Sequence, residues 1–308
     1  MLTWTPQGRL FPPTAGDLPD WLGGYGALPF AVPLGDHRCP VFFSGRDREN
    51  RSQVGACTLD LARLSVVDGS LTPEPLVRSG PPGAFDDSGC SMSCIVRHTG
   101  AWYLYYSGWT LGGTVPFHLA IGLAVSQDDG RTFRKLSLAP VLGRHEADPF
   151  LCASPSILIE GGVWRMWYVS AVRWEKQAGG WRHYYLIKYA ESHNGIEWRR
   201  DGRIAIGFKS ADEYAIGRPH VLKDGGIYRM WYCSRGDRYR IGYAESRDGL
   251  TWERRDESAG IAPPAEGWDS EMQAYPMVFR DGRHLVMLYN GNGYGATGFG
   301  CATAEAGE

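Results

Sequence analysis

Four short runs of the chain align without gaps: Phe85-Asp-Asp-Ser-Gly-Cys-Ser-Met-Ser93, Asp148-Pro-Phe-Leu-Cys-Ala-Ser-Pro155, Asp212-Glu-Tyr-Ala-Ile-Gly-Arg-Pro219 and Asp269-Ser-Glu-Met-Gln-Ala-Tyr-Pro276. Two kinds of acid separate in them. Asp86, Asp148, Asp212 and Asp269 share one column, and a residue that recurs at every repeat answers to architecture, such as accepting backbone N–H bonds where a strand begins. Glu213 and Glu271 occur once each, opposite Asp87, Pro149 and Ser270 in one column and Ser88, Phe150 and Tyr214 in the other. Paired carboxylates facing one cavity suit cleavage of a glycosidic bond, where one carboxyl donates a proton to the leaving oxygen and the other activates water or attacks carbon. Glu213 and Glu271 are therefore the first candidates for catalysis, with Asp87 and Asp148 in reserve to orient a sugar or tune a neighbour by like-charge repulsion. Arg218, His220 and Tyr275 also break their columns or stand in them as candidate ligand contacts. The competing reading is architectural: both glutamates pair with arginines, Arg218 being close to Glu213 in sequence, and His220 is a hydrogen-bonded strand histidine.

The elements that carry these residues announce themselves by repetition. An apolar-aromatic strand returns as Trp102-Tyr-Leu-Tyr-Tyr106, Trp164-Arg-Met-Trp-Tyr168, Tyr228-Arg-Met-Trp-Tyr232 and Leu285-Val-Met-Leu-Tyr289. Its terminal Tyr recurs after 62, 64 and 57 residues. Each is followed by a hairpin sentence, clearest in Ile187-Lys-Tyr-Ala-Glu-Ser-His-Asn-Gly-Ile-Glu-Trp198 and Ile241-Gly-Tyr-Ala-Glu-Ser-Arg-Asp-Gly-Leu-Thr-Trp252 and weaker in Ile121-Gly-Leu-Ala-Val-Ser-Gln-Asp-Asp-Gly-Arg-Thr-Phe133. Asn-Gly and Asp-Gly tolerate the positive φ of a tight turn, so each unit reads as four antiparallel strands. A repeat of roughly 60 residues built this way suits an all-β propeller. Cys39-Pro-Val-Phe-Phe-Ser-Gly45 and Gln53-Val-Gly-Ala-Cys-Thr-Leu59 supply the second and third strands of a degenerate first unit, which makes five blades. The last blade ends at its third strand, Phe299-Gly-Cys-Ala-Thr303, and Leu2-Thr-Trp4 repeats Leu250-Thr-Trp252. The N-terminal strand, near Thr3, is therefore expected to complete that blade and close the ring, leaving no unpaired edge.

In a blade, the run into the first strand and the loop after the second converge on one mouth. The loops are Arg46-Asp-Arg-Glu-Asn-Arg51, Trp109-Thr-Leu-Gly-Gly113, Arg173-Trp-Glu-Lys176, Arg235-Gly-Asp-Arg-Tyr-Arg240 and Asn290-Gly-Asn-Gly-Tyr294. Trp109 and Trp174 offer faces for sugar C–H groups, and Arg235 and Asn290 offer donors for hydroxyls. The arginines also point to a phosphate or carboxylate on the ligand.

At 308 residues with a net charge of −2, the chain has no global attraction for nucleic acid or an anionic membrane. A closed ring is expected to be one domain spanning residues 1–308. Seven cysteines without a CxxC pair read as buried thiols of a reducing compartment. No cationic leader and no apolar run of about 18 residues is present, so a cytoplasmic protein acting on a small molecule is expected. There is no HExxH, His pair or Cys/His cluster, so neither a metal nor another cofactor is expected.

Tyr228-Arg-Met-Trp-Tyr232, the Tyr-Ala-Glu-Ser-x-Asp/Asn-Gly-x-x-Trp hairpins and the pre-strand acids resemble the five-bladed propellers of glycoside hydrolase families 32, 43, 62, 68 and 130, among them uncharacterised glycosyl hydrolase-like propellers. The resemblance spans about Phe85 to Thr303. It implies a funnel on the ring axis where acids from separate blades act on glycosides. It also implies, for family 43, an Asp in an early Asp-Pro motif of blade one, an Asp in blade two and a Glu in blade three. Here the first run, Gly26-Ala-Leu-Pro-Phe30, carries no acid, and the one Asp-Pro is Asp148-Pro149 in blade three. Two further readings stand beside a glycosyl-cleaving or glycosyl-transferring enzyme: an isomerase, cyclase or lyase on the same scaffold, and a non-catalytic sugar-binding propeller.

Overall fold

The computed structural model describes residues 2–11 and 18–306. The fold is all-β. Its strands pair in antiparallel groups of four, and the repeat lengths explain why: each aromatic second strand lies between a first strand and a third strand that it hydrogen-bonds on both edges. Unit one comprises Gly24–Ala31, Arg38–Arg46, Ser52–Asp60 and Ser65–Val66; unit two, Gly89–His98, Ala101–Leu111, Phe117–Ser126 and Arg134–Lys135. Unit three comprises Cys152–Glu160, Val163–Gln177, Gly180–Ser192 and Ile204–Ile206; unit four, Ala215–Asp224, Ile227–Arg235, Tyr239–Ser246 and Glu253–Arg254. The fifth joins Ala274–Asp281, His284–Asn290 and Phe299–Glu305 to the N-terminal strand Thr5–Phe11, with Thr5 opposite Thr303 and Phe11 opposite Phe299. The pairing segment therefore begins just beyond Thr3. Trp4 nevertheless does what its likeness to Trp252 implies. It is buried against Trp231 at 6.3 Å, as Trp252 packs on Trp167 at 5.9 Å and Trp198 on Tyr105 at 6.2 Å.

First strands touch in the order one, two, three, four, five and back to one. Aromatic packing follows the same cycle through Phe42–Trp102, Tyr103–Trp164, Trp167–Tyr228, Trp231–Trp4 and Phe11–Phe43. Apolar faces of neighbouring sheets are thereby removed from water, which supplies the main driving force for assembly.

A second cyclic device is polar. Every first strand is bulged, and the bulge residues Leu28, Ser154, Arg218 and Tyr275 have positive φ, between 46° and 59°. In units one, two, three and five the bulge frees a backbone N–H that the end of the preceding unit's second strand accepts. Ser44 Oγ accepts from Met92 N (2.7 Å), Ser107 Oγ from Ser154 N (2.9 Å), Cys233 Sγ from Tyr275 N (2.8 Å) and Asn290 Oδ1 from Leu28 N (2.8 Å). The last of these joins unit five to unit one.

The terminal tyrosines of the second strands do more than pack. Tyr106, Tyr168 and Tyr289 donate their hydroxyls to Asp86 (2.9 Å), Asp148 (2.8 Å) and Asp269 (3.0 Å). Opposite Tyr106 the third strand carries Gly122, where a Cβ would stand 2.3 Å from the tyrosine ring, so glycine is what lets the ring lie across the sheet to its aspartate.

Candidate functional site

The Asp column is architectural, although its acceptors serve tyrosine and cationic side chains more than the backbone. Asp86 takes Tyr106 and Lys135 Nζ. Asp148 is fully buried and takes Tyr168, Ser170 Oγ (2.6 Å), Lys188 Nζ (3.2 Å) and Arg200 Nε (3.2 Å). Both Asp148 oxygens therefore already have partners inside unit three. Unit four departs from the column. Asp212 is exposed, and Tyr232 donates instead to Asp256, beyond the fourth strand.

Glu213 fills the vacated space. Arg254 grips it with two hydrogen bonds, Nη1 to Oε2 at 2.7 Å and Nη2 to Oε1 at 2.8 Å, while the Lys209 N–H donates to Oε2 at 2.8 Å. Arg254 also binds Asp256 at 2.7 Å. Burial alone would raise the Asp256 carboxyl, but the hydrogen bonds from Lys209 and Tyr232 and the charge of Arg254 hold it below the usual carboxylate range. Glu213 thus belongs to a buried ion-pair cluster at the outer part of its unit. Its unique column position reflects a one-residue shift of the buried acid in unit four, and its partner is Arg254 and not Arg218. Its carboxylate is held by Arg254 and the Lys209 N–H, the ion-pair reading weighed beside catalysis.

Two other expected ligand contacts hold backbone groups of neighbouring strands. Asn290 is fully buried; its Oδ1 holds Leu28 N–H, and its Nδ2 donates to Gly26 O (2.8 Å) and Gly298 O (3.2 Å). His220 bonds Val278 O through Nε2 at 2.6 Å and packs against Phe30, and burial pushes its pKa down to about 4.

The remaining candidates lie near the starts of first strands and the ends of second strands. Glu271 is exposed just ahead of Ala274–Asp281; its N–H donates to Asn292 Oδ1 (2.9 Å), and its carboxylate has no partner among the described residues. Asp87 is half-buried ahead of Gly89–His98 and accepts from Gly83 N–H (3.1 Å) and Ser88 Oγ (2.9 Å), with no cation within ion-pair distance among the described residues. Arg218 is 3% exposed, and its guanidinium reaches the carbonyls of Met92 in unit two (3.0 Å) and Leu28 in unit one (3.4 Å), so it lies where non-neighbouring units converge. Burial lowers its pKa to about 10. Tyr275, on the neighbouring first strand, lies with its ring 6.2 Å from that of Tyr239. The Arg235 guanidinium faces the rings of Tyr214 (5.3 Å), Tyr239 (5.1 Å) and Tyr294 (6.0 Å) and donates to Tyr294 Oη at 2.8 Å, while its buried Nε has no partner among the described residues.

Trp109 and Trp174 enter one aromatic belt. Trp109 donates to Ser91 Oγ (2.9 Å) and touches Phe117, which touches Trp174 and His183. His183 stacks on Tyr185 at 4.9 Å, Tyr185 and Tyr239 share a hydroxyl hydrogen bond, and Tyr239 meets Tyr275 and Tyr294. Burial, then the nearby Arg235 charge, lowers the His183 pKa to about 4, so its ring is neutral near pH 7. Phe117, His183 and Tyr185 were not anticipated from sequence, and Tyr214, Tyr239 and Tyr294 lie in segments expected at the mouth without being singled out. The available signal was the alternation of aromatic residues in His183-Tyr-Tyr185 at the start of a third strand. Among the described residues no group of His, Cys, Asp and Glu is arranged to hold a metal ion. No helix among the described residues is long and apolar enough to cross a membrane.

No family model matches the chain. Among solved structures, it superposes on a glycoside hydrolase at TM-score 0.73 and 16% identity, covering 98% of this chain and 91% of that one. A thermostable family-43 glycoside hydrolase matches at TM-score 0.68 and 19% identity over 92% and 88% of the two chains. The β-1,2-mannobiose phosphorylase of Listeria innocua matches at 0.71 and 11% over 99% and 97%. At these identities the likeness establishes a shared fold, that of propeller-type glycoside hydrolases and phosphorylases. In sequence, the chain is 41% identical over 307 residues to the uncharacterized protein Rv1502 of Mycobacterium tuberculosis, covering 99% of this chain and all of that protein. With nearly every residue of both chains aligned at that identity, the protein belongs to the Rv1502 family.

Proposed function

We propose that the five units are the blades of a single-domain, five-bladed propeller closed by its N-terminal strand, and that the face bearing Glu271 and Asp87 is the mouth of an axial funnel in which a glycosyl group of a small carbohydrate is cleaved or transferred. One observation carries this reading: of the four candidate acids, Glu271 and Asp87 alone keep carboxylates without a cation partner among the described residues, and both stand at first-strand entries beside a belt of aromatic faces. Such a pair meets the needs of glycosyl transfer, a proton for the leaving oxygen and a second carboxylate to activate the acceptor or steady the developing positive charge. Glu271, unconstrained at its carboxylate, is assigned as proton donor. Asp87, oriented by Gly83 N–H and Ser88, is assigned as base or charge stabiliser. The fold shared with glycoside hydrolases and a mannobiose phosphorylase supports the reaction class.

The test is a panel of aryl glycosides and disaccharides, with and without inorganic phosphate, read by mass spectrometry. Cleavage by the native protein should fall at least about 100-fold in Glu271→Gln, the scale of a lost acid catalyst, with the melting temperature unchanged. Full activity in both Glu271→Gln and Asp87→Asn removes these acids from the mechanism. Saturable sugar binding without any product, from acidic to neutral pH, replaces the enzyme by a binding module.

A further inference from the structure

Unit three is built longer than its neighbours. Its second and third strands, Val163–Gln177 and Gly180–Ser192, have 15 and 13 residues, where the second strands of the other units have 7 to 11. Unit four's second strand stops at Arg235, whereas unit three's continues past the equivalent Ala171 and a bulge. Residues 172–177 add about 20 Å to it, at roughly 3.3 Å per residue. The added length stays paired, Arg173 to Tyr184, Trp174 to His183, Glu175 to Arg182 and Lys176 to Trp181. A lone two-stranded hairpin is marginal in water, so this extension depends on its flanks. Alternation gives it two faces. One is braced on Tyr214, at the entry of unit four. The Arg173 guanidinium lies 3.6 Å from the Tyr184 ring, Glu175 accepts from Arg173 Nε and Tyr184 Oη at 2.7 Å each, and Tyr184 and Arg182 approach Tyr214 at 6.0 and 4.5 Å. The other face carries Trp174, Lys176, Trp181 and His183. There Trp174 and His183 meet Phe117 of unit two at 5.2 and 5.3 Å, and Phe117 meets Trp109 at 4.8 Å. Trp109 adjoins Asp87: its carbonyl accepts from Ser88 N–H at 2.9 Å, and Ser88 Oγ donates to Asp87 Oδ1 at 2.9 Å. An aromatic surface thus runs from beside Asp87 out along the hairpin to Trp181. Its inner rings are half-buried, while Trp181, and Leu111 opposite Phe117, are 42% and 75% exposed.

We propose that this surface holds the sugar rings lying beyond the bond that is cleaved or transferred, so that the ligand is a neutral oligosaccharide whose outer rings stack on Trp174 and Trp181. The assignment rests on the reading of the Asp87 entry as part of the ligand site. Sugar rings present C–H faces that pack on aromatic rings while their hydroxyls stay in water. Tryptophan supplies such contact area at low cost in conformational freedom. Charge points the same way: the hairpin's carboxylate, Glu175, is paired with Arg173 on the braced face. His183 is neutral near pH 7, which leaves Lys176 as the one charge beside Trp174 and Trp181. The surface therefore offers area more than charge. It is also too small for a stable protein partner, since Leu111 and Trp181 together cannot supply the roughly 800 Å² a side of such an interface.

The experiment is calorimetric titration of the native protein, Trp181→Ala, Trp181→Phe and Trp174→Ala with ladders of glucose, mannose, xylose and arabinose oligosaccharides, from monosaccharide to pentasaccharide. Trp181 leads because its exposed ring can be truncated without opening the core. In at least one ladder the native affinity should rise with chain length, by about tenfold or more from the shortest bound member to the longest. Trp181→Ala should erase the gain of the longer members while the shortest bind as before, and Trp181→Phe should keep most of it. Trp174→Ala should weaken intermediate lengths as well. The proposal is overturned if no ladder shows affinity that grows with length, or if both alanine variants keep the native length dependence. Sedimentation of the native protein and Trp181→Ala covers the other occupant: a dimer that the substitution dissolves would give the surface to a second copy and overturn the proposal too. Binding needs no turnover, so the two readings fail separately. Glycoside cleavage with affinity independent of length ends this proposal alone, and Trp181-dependent binding of long members without any cleavage ends only the catalytic reading.

Discussion

Replacing Asn290 by Ala should destabilise the protein more than any comparable change at the junctions between units, because this one amide serves three backbone groups of units one and five. Its Oδ1 accepts from Leu28 N–H, and its Nδ2 serves Gly26 O and Gly298 O. Gly298 O also accepts from Gly291 N at 3.2 Å, so it is not orphaned when the amide is removed. Leu28 N–H and Gly26 O are the groups most exposed to loss, and each buried polar group left unpaired costs about 1–3 kcal/mol. The expected loss is therefore about 3 kcal/mol, or a fall in melting temperature of about 5 °C for a chain this long. Ser44→Ala provides the scale, since it removes one equivalent bond, to Met92 N, between units one and two. It should cost about 1 kcal/mol. Asn290→Asp keeps the acceptor but turns a charged oxygen towards two carbonyls, so it should not rescue stability. Scanning calorimetry of the three variants beside the native protein is the assay, with ligand titrations well below the melting transition to check that the folded Asn290→Ala still binds. A melting temperature within about 2 °C of the native value, or equal to that of Ser44→Ala, would refute the closure role argued for this side chain.

Deleting residues 2–11 should lower the melting temperature by at least about 10 °C and promote self-association, since it uncovers Trp231 and the edge of Phe299–Glu305; a monomer that melts unchanged contradicts the pairing. Glu213→Gln should cost about 2 kcal/mol, part of the loss expected for a broken buried pair because Arg254 keeps Asp256, while turnover per folded molecule stays native. A fall in kcat at unchanged stability would return Glu213 to the mechanism. His220 is held neutral, its pKa lowered from 6.5 to about 4. The unfolded chain therefore takes up its proton first as pH falls, and stability contributed by this site is complete above about pH 6.5 and lost between there and about pH 4. At pH 5 the loss is about 2 kcal/mol relative to pH 7; His220→Gln should flatten that part of the curve in urea titrations, and an unaltered slope would count against a neutral buried imidazole.

The fold was legible because its signals are local and repeated. Aromatic second strands, Asn-Gly and Asp-Gly turns and the likeness of Trp4 to Trp252 each state a position within a unit, and the structure places Trp198, Trp252 and Trp4 in equivalent contacts. The polar ring of bulges was not legible. Its acceptors are Ser44, Ser107, Cys233 and Asn290, chemically different residues whose common feature is where they point. The fourth strands were also hard to bound, since those of units one, two and four contain two residues each.

The site was legible in its location more than in its members. A residue that breaks a repeat can do so because chemistry needs it or because the architecture changes there, and a column of aligned residues cannot separate the two. Glu213 and Asn290 illustrate the second cause: one compensates a shifted buried acid, the other links the last unit to the first. Arg218 breaks its column with neither compensation, for no acid among the described residues pairs with it and the residues in equivalent places, Leu28, Met92, Ser154 and Tyr275, carry no charge. The discriminating property is charge balance in three dimensions, because a buried charge needs a partner and the chain supplies one to Asp148 and Glu213. Where the described residues supply none, as at Arg218, the carbonyls of Met92 and Leu28 take the hydrogen bonds instead, so a charge that breaks its column joins three units through neutral acceptors.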